Sequence, residues 1–438
     1  MSYLQRKIDY ELLQWKNSAH HKVILLSGAR QVGKTSTVRE LGKTFEHFVE
    51  INLEKQPHLK AIFEPDSETE RIIKELSFEL QKPIVPNKTL LFIDEIQESV
   101  PALAALRYFY EDMPELHIIA AGSRLQFALE KLPAFSPGRI RSLFMYPFSY
   151  DEFIRATGHT TLTEELKNGS PEKPLSEDTH NKCKCLLVEF MLIGGMPEVV
   201  TKYVETGSLF ECQEILDAVI QTFYNDFPKY KQRANVPLLQ EVFGAVIEQT
   251  GEKFTYSKAS KTANHLQIKE CVELLEMAGL IYPVTHSAAN SPLLLVGQNT
   301  KFRKYLIFDT GIYQRFFKLN LNGSFSAENI ERINNGAFAK LLAGLELKKA
   351  SPMNFPLSLH YWQREKAGSS AKVDYIVQQG KNIVPVEIKT KAKGAMQSTH
   401  QFLTERGYSY GIRSSMENFG ISGNFRIYPL YAISQVVS

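Results

Sequence analysis

Eight residues near the amino end of the sequence have the types and spacing of a phosphate-binding loop. Residues 28–35 read Gly-Ala-Arg-Gln-Val-Gly-Lys-Thr, which fits the pattern G-x-x-x-x-G-K-[ST] between an apolar strand-like run and a helix-compatible segment. Backbone N–H groups and the helix dipole in such a loop face phosphate oxygens, while Lys34 bridges terminal phosphates and Thr35 ligates Mg²⁺. The predicted nucleotide-binding residues are Gly28, Ala29, Arg30, Gln31, Val32, Gly33, Lys34, Thr35 and Ser36.

Two acids follow a second apolar run. Residues 89–93 have the composition of a buried parallel strand, and Asp94 and Glu95 come directly after it. Ligand sites of parallel sheets lie at the carboxyl ends of the strands, so we expect both acids beside the loop. We assign Asp94 to Mg²⁺ and its water shell, and Glu95 to the base that orients the attacking water.

A third apolar run, residues 117–121, ends in Gly-Ser-Arg. We expect Ser123 to contact the terminal phosphate from the end of this strand. The alternative is that Ser123 only forms a turn.

A third group of chemically capable residues lies on a predicted hairpin. Residues 372–377 and 383–389 alternate as strands, and Gly380-Lys381 suits a two-residue turn. That turn pairs Gln379 with Asn382, which places Asp374 opposite Glu387, with Lys389 on the same face as Glu387. Two acids and a lysine on one face are what a Mg²⁺-dependent phosphodiesterase needs.

The motifs together resemble those of a prokaryotic AAA-type ATPase family in which the ATPase module precedes a C-terminal domain of unknown function. The resemblance implies ATP or ADP as ligand and Mg²⁺ as cofactor. The matching segments are the phosphate loop, 92–97 (Phe-Ile-Asp-Glu-Ile-Gln), 122–123, 137–139 (Pro-Gly-Arg), 146–153, 194–198 (Gly-Gly-Met-Pro-Glu), 224–226 and 307–311.

Related ATPases often use an arginine, from the same chain or from a neighbour, to neutralise charge on the transferring phosphoryl group. The candidates are Arg124, Arg139 and Arg141. We assign the role to Arg139, and the alternative is a salt bridge or a solvated turn.

The C-terminal hairpin resembles the core of PD-(D/E)XK nucleases, which usually add an acid from a preceding helix. Family relatives often have Glu at the position of Lys340 in this chain, where Glu346 is the available substitute. Asp374, Glu387 and Lys389 are therefore expected either to form a nuclease site or to be a degenerate core that packs or binds without cutting.

The strand and helix patterns around these residues predict an α/β fold in three segments. These are an AAA-type ATPase domain with a parallel sheet (1–157), a helical and winged-helix-like domain (183–320) and a small α/β nuclease-like domain (331–438). The polar residues 158–182 are expected to be a mobile connection.

The middle segment has a helix–strand–helix–helix order that ends in strand-like runs, as in a winged helix. We predict helices at 185–193, 209–224, 238–249, 257–264 and 266–278, and strands at 253–256, 293–296 and 305–308. The third winged-helix helix commonly enters the DNA major groove. Here it exposes Glu270, Glu273 and Glu276 against Lys269, which disfavours phosphate contact.

Composition excludes a disordered protein, a fibrous protein and a membrane-spanning protein. Of the 438 residues, 43% are hydrophobic and 23% are charged, as in ordinary globular proteins, and no apolar run approaches a membrane span. The four cysteines are expected to be ordinary thiols, and the amino end predicts a cytoplasmic location. The net charge is +3, but residues 331–438 alone carry +7, so a DNA or RNA footprint is expected there.

We therefore expect an enzyme that binds and hydrolyses ATP and acts on nucleic acid through its C-terminal half. The alternative is a nucleotide-gated signalling or scaffold protein with a protein partner. The sequence leaves open the substrate, the pathway and the oligomeric state.

Overall fold

The chain divides into two compact units. The computed structural model describes residues 3–130, 138–231, 233–291, 294, 296–317, 336–365, 369–389 and 396–437. The first unit is Met1–Tyr146 with Met277–Gly279 and Met353–Phe355, and the second unit is the remainder of the chain.

A parallel sheet of five described strands forms the centre of the first unit, in the order β2-β3-β4-β1-β5. Its strands are β1 (Val23–Ser27), β2 (His47–Asn52), β3 (Thr89–Asp94), β4 (His117–Gly122) and β5 (Ile140–Phe144). Its helices are α1 (Lys7–Lys16), α2 (Lys34–Gly42), α3 (Thr69–Leu80), α4 (Val100–Asp112) and α5 (Leu125–Leu129). The strands predicted at 23–27, 89–93 and 117–121 are confirmed.

The register of this sheet brings the carboxyl ends of its strands to one edge. Every residue of β3 and β4 is buried, as the continuous apolar runs predict for a sheet covered on both faces. Ser27 pairs with Gly122, and Asn52 pairs with Asp94. The residues that follow β1, β3 and β4 therefore share that edge.

The helices predicted at 209–224, 238–249 and 266–278 are present with small shifts of their ends. The helix predicted at 185–193 begins earlier, at Glu177, and the helix predicted at 257–264 is only Tyr256–Ala259. The second unit has eleven described α-helices. They are α6 (Tyr150–Ala156), α7 (Thr160–Asn168), α8 (Glu177–Ile193), α9 (Pro197–Thr206), α10 (Leu209–Asp226), α11 (Val236–Glu248), α12 (Tyr256–Ala259), α13 (His265–Met277), α14 (Thr310–Phe316), α15 (Ala337–Lys349) and α16 (Gln397–Arg406).

The mobile connection expected at 158–182 is wrong, because α7 and the start of α8 occupy it. Leu162 and Leu166 are both buried, one helical turn apart. Ser176 caps α8 by accepting a hydrogen bond from the backbone N–H of Thr179. A few apolar residues at helical spacing, together with one good cap, outweigh the polar composition of this segment.

A mixed sheet of eight described strands completes the second unit, in the order β12-β13-β11-β10-β9-β8-β6-β7. Its strands are β6 (Ile281–Ser287), β7 (Gln298–Ile307), β8 (Leu359–Gln363), β9 (Lys372–Gln379), β10 (Asn382–Ile388), β11 (Gly411–Ser415), β12 (Gly420–Ser422) and β13 (Phe425–Pro429). The hairpin strands β9 and β10 are confirmed, as is the pairing of Gln379 with Asn382.

Two strands of this sheet come from the middle of the sequence. β6 pairs antiparallel with β7 and parallel with β8, so the expected winged-helix strands lie in the same sheet as the C-terminal hairpin. The strand expected at 253–256 is a single bridge between Lys253 and Lys304 of β7. Of the strand expected at 293–296, residues 293 and 295 lie outside the described residues, and β7 begins later, at Gln298.

The four cysteines are free thiols, as expected. Within the described ranges, no helix has both the length and the apolar character needed to cross a bilayer.

Candidate functional site

The loop between β1 and α2 has a backbone that requires glycine. A Cβ atom on Gly28 would lie 2.3 Å from the carbonyl oxygen of Met145, which is too close for any side chain. Gly33 has φ of 96° and precedes the first residue of α2, a conformation that favours glycine. The spacing that predicted a phosphate loop thus coincides with the two positions where a side chain is excluded or strained.

Lys34 lies buried over this loop. Its Nζ donates hydrogen bonds to the carbonyl oxygens of Gly28 and Ala29, at 2.9 and 2.8 Å. Burial lowers the pKa of Lys34 to about 8, against the opposing effect of Glu95 and Asp94. A phosphate would give the ammonium group a charged acceptor, which is a stronger partner than a neutral carbonyl.

Asp94 ends β3 and contacts Thr35 of α2, the helix that follows β1, although β4 lies between β3 and β1 in the sheet. The Thr35 hydroxyl donates to Asp94 Oδ2 at 3.0 Å, and Asn52 Nδ2 donates to the same oxygen at 3.2 Å. Burial and the charge of Glu95 raise the pKa of Asp94. The hydroxyl and carboxylate assigned to the metal are therefore in contact.

Glu95 has a fixed position beside Asp94. Its backbone is left-handed, with φ of 52°, and its Oε2 accepts a hydrogen bond of 2.5 Å from Gln97 Nε2. A Cβ on Gly122 would lie 2.0 Å from Gln97 Oε1, so the glycine at the end of β4 makes room for this glutamine. Gln97 therefore orients the carboxylate assigned to the base.

Ser123 and Arg124 follow β4 at the edge where the loop lies. Arg124 Nη2 contacts Glu98 Oε1 at 2.7 Å, and Glu98 also contacts Lys60 Nζ at 3.3 Å. The contact of Ser123 with a terminal phosphate stays a prediction.

The structure corrects one part of the arginine assignment. Arg139 forms an ion pair with Glu111 and precedes Ile140, which pairs with Val23 at the amino end of β1. It lies at the edge of the sheet opposite the phosphate loop, since β1 rises about 3.3 Å per residue. The action of Arg139 on the nucleotide of its own chain is therefore wrong, and its action on a neighbouring copy stays a prediction. Pro137 of that motif lies outside the described residues.

Arg141 also lies away from the loop, because it pairs with Ile24 in the sheet and its Nη2 contacts Glu11 at 2.6 Å.

Sequence reasoning missed three residues that support this site. Asn52 and Gln97 hold the two acids, and the nearly buried Arg6 donates to the carbonyl oxygen of Val32 at 3.2 Å. Asn52 carries a detectable signal, because it is a polar residue at the carboxyl end of a strand. Arg6 carries none, because it precedes the loop by more than twenty residues.

The C-terminal residues also come together, within the second unit. The paired residues of β9 and β10 run to Tyr375 and Val386, and Asp374 and Glu387 are the next residues along the two strands. Lys389 Nζ contacts Glu387 Oε1 at 3.0 Å, as the shared face predicts. Lys340, which the sequence places where relatives carry an acid, contacts Asp374 Oδ1 at 2.8 Å.

The first unit has the residues that a magnesium nucleotide requires. Gly28 and Gly33 allow the loop backbone its conformation, Lys34 supplies a positive charge, and Thr35 and Asp94 offer oxygen ligands at one point. The fold and this site define a P-loop ATPase of the AAA type.

The family comparisons agree with this class and extend it along the chain. Residues 20–154 match an AAA domain, and residues 185–323 and 336–433 match two domains of unknown function, DUF8612 and DUF4143. The chain thus has an AAA domain followed by two domains of unknown function. No curated protein matches it.

Solved structures resemble the chain only distantly. The Aeropyrum pernix ORC1 protein in complex with DNA is 12% identical, with 72% of this chain and 91% of that chain covered and a TM-score of 0.29. A Pyrococcus horikoshii signal transduction ATPase with numerous domains, which carries a tetratricopeptide repeat sensor, is 13% identical, with 80% and 46% covered and a TM-score of 0.26.

Changing Asp94 to Asn is expected to reduce the effect of Mg²⁺ on ATP affinity by about tenfold, because one charged oxygen ligand is lost. Titration calorimetry with Mg²⁺ and with EDTA measures the effect, and affinity in EDTA is the internal control. An equal magnesium effect in mutant and wild type would show that Asp94 is only structural.

Proposed function

We propose that the chain binds MgATP at the loop of the first unit and hydrolyses it. Lys34 binds the terminal phosphates, the Thr35 hydroxyl and Asp94 hold the magnesium ion, and Glu95 takes a proton from the attacking water. When bound, magnesium neutralises charge on the phosphates. Ser123 contacts the terminal phosphate in this proposal.

The contact between Thr35 and Asp94 is the observation that carries the proposal. Two residues 59 positions apart meet at 3.0 Å, beside a buried lysine and an oriented glutamate. Thr35 and Asp94 are the two protein ligands expected for the metal, and Gln97 positions the base next to them. A surface glycine turn would not bring these groups together.

For the C-terminal half we propose action on DNA or RNA, supported by the net charge of +7 on residues 331–438. A winged-helix order from α11 to β7, with the bridge of Lys253 to Lys304, is consistent with this action.

The second candidate is a protein partner in place of nucleic acid. It is favoured because several basic residues of the C-terminal half form ion pairs with acids of the same chain. Lys340 and Lys349 contact Asp374 and Glu346, and Arg364, Lys372 and Arg413 contact Glu405, Glu252 and Glu417. In helix α13, Lys269 forms an ion pair with Glu273, and Glu276 forms an ion pair with Arg303. The lysine of this helix is therefore already paired with an acid. Charge that is neutralised within the protein adds little to phosphate binding.

ATP turnover by the full chain, with and without single- and double-stranded DNA and RNA, tests the proposal. We expect turnover that requires Mg²⁺ and rises several-fold with nucleic acid at about 50 mM salt, with the stimulation falling steeply toward about 200 mM. A preparation carrying Glu95→Gln controls for contaminating ATPases. Turnover that ignores nucleic acid would favour the protein partner, and no turnover in any condition would contradict the proposed ATPase.

A further inference from the structure

The paired acids of the C-terminal hairpin already have their hydrogen-bonding partners. Asp374 is nearly fully buried, with Oδ1 at 2.8 Å from Lys340 Nζ and Oδ2 accepting the backbone N–H of Ile388 at 3.1 Å. Glu387 Oε1 contacts Lys389 Nζ at 3.0 Å, and its Oε2 accepts from the Thr399 hydroxyl at 3.3 Å. All four carboxylate oxygens therefore face protein donors.

The charges around these acids are also balanced by lysines. Burial disfavours the ionised form of Asp374, but Lys340 and Lys304 outweigh that effect and hold the pKa of Asp374 below its usual range. Lys304 is itself nearly fully buried. With Lys389, three ammonium groups act on the two carboxylates, and Glu252 also lies 3.9 Å from Lys340 Nζ. The lysines therefore already offset the negative charge that would attract a dication.

The substitute acid considered from the sequence does not reach this centre. Glu346 lies almost two turns beyond Lys340 on α15, where its Oε2 accepts the backbone N–H of Tyr150 at 3.0 Å. Its other oxygen contacts Lys349 Nζ at 3.2 Å. Glu346 therefore anchors the start of α6, and the substitution expected from the sequence is wrong. In the described part of the chain, no group of three or more His, Cys, Asp or Glu side chains is arranged to hold a metal ion.

We infer that Lys340 is the resident cation of the Asp374–Glu387 pair, in the place of the divalent metal that the nuclease resemblance implies. The ammonium group relieves the repulsion between the acids and ties α15 to β9. The Tyr375 hydroxyl reinforces this contact by donating to the Lys340 carbonyl oxygen at 2.7 Å. The C-terminal domain then has a structural ion-pair centre and does not cleave phosphodiester bonds by metal catalysis. This inference is independent of the proposed ATPase.

Thermal unfolding of the full chain without nucleotide, with and without about 1 mM Mn²⁺, tests the inference. In wild type, Mn²⁺ is expected to give no rise in Tm that Asp374→Ala removes. Lys340→Glu adds a third carboxylate and removes a cation, so Mn²⁺ should raise its Tm by about 2 °C or more. Lys381→Glu, in the exposed turn of the hairpin, makes the same charge change away from the acids and should gain no stabilisation.

A second set of variants decides the question if Lys340→Glu does not fold. Lys340→Gln leaves Asp374 buried without its cation and should lower Tm by about 5–10 °C. Adding Asp374→Asn to that variant should restore part of the loss, because the uncompensated charge is removed. These results would support the inference.

Four outcomes would overturn it. One is Mn²⁺ stabilisation of wild type that Asp374→Ala abolishes, and another is an unchanged Tm in Lys340→Gln. The third is Mn²⁺-dependent cleavage of plasmid or oligonucleotide by wild type that Asp374→Ala abolishes. A folded Lys340→Glu variant that gains nothing from Mn²⁺ would equally contradict the placement of Lys340 at a metal position.

Discussion

Changing Glu95 to Gln is expected to lower ATP turnover by about 10²- to 10⁴-fold, the usual contribution of a positioned general base. The amide keeps the size of the side chain and its place beside Gln97, but it cannot accept a proton from water. ATP affinity should stay unchanged, because Lys34 and the loop backbone still bind the phosphates. Single-turnover hydrolysis and calorimetry measure the two quantities separately.

Two further variants make this result specific to the base. Glu40→Gln, on the exposed side of α2 where Glu40 pairs with Lys43, changes the same chemical group and should leave turnover unchanged. Gln97→Leu removes the hydrogen bond to Glu95 Oε2 and should lower turnover by less than Glu95→Gln does. Full activity in Glu95→Gln would exclude Glu95 as the base.

Changing Lys34 to Ala should weaken ATP binding by about 10- to 100-fold, the free energy of a hydrogen bond to a charged group. Lys34 is 7% exposed and its Nζ is held by two loop carbonyls, so its charge has a fixed position at the loop. Calorimetry with ATP and with ADP measures the loss, which should be larger for ATP because Lys34 reaches the terminal phosphate.

Lys43→Ala is the matched control for this variant, since Lys43 ends the same helix, is mostly exposed and pairs only with Glu40 among the ion pairs described. It should bind ATP as wild type does. Unchanged ATP affinity in Lys34→Ala would contradict the assignment of the phosphate loop.

Local signals were enough to predict three of the strands of the first unit and the residues that follow them. The β1, β3 and β4 strands are continuous apolar runs, and the residues after each of them meet because parallel strands end at one edge. Asn52 and Gln97 could not be assigned in the same way, because their roles depend on which oxygen each side chain reaches. For Arg139 the Pro-Gly-Arg motif suggested a role that the sheet does not support within the same chain. The next residue, Ile140, pairs with the amino end of β1, at the edge of the sheet opposite the phosphate loop.

The second unit was less predictable for a different reason. The hairpin register followed from the turn, because a two-residue turn fixes every later pair. The parallel pairing of β6 with β8 joins residues more than seventy positions apart, and no local pattern specifies a partner at that distance. The role of Lys340 needed the same long-range information, because the sequence shows a missing acid but not the carboxylate that the lysine meets.

The shared sheet has a consequence for how this protein can be divided. The two domains of unknown function meet in sequence between residues 323 and 336, yet β6 before that point pairs with β8 after it. A chain ended at residue 323 would leave the β6 edge open to pairing with other chains, and a fragment begun at 336 would open the edge of β8. Gene fusion, exchange or truncation at this junction would therefore separate the two parts of one hydrogen-bonded sheet.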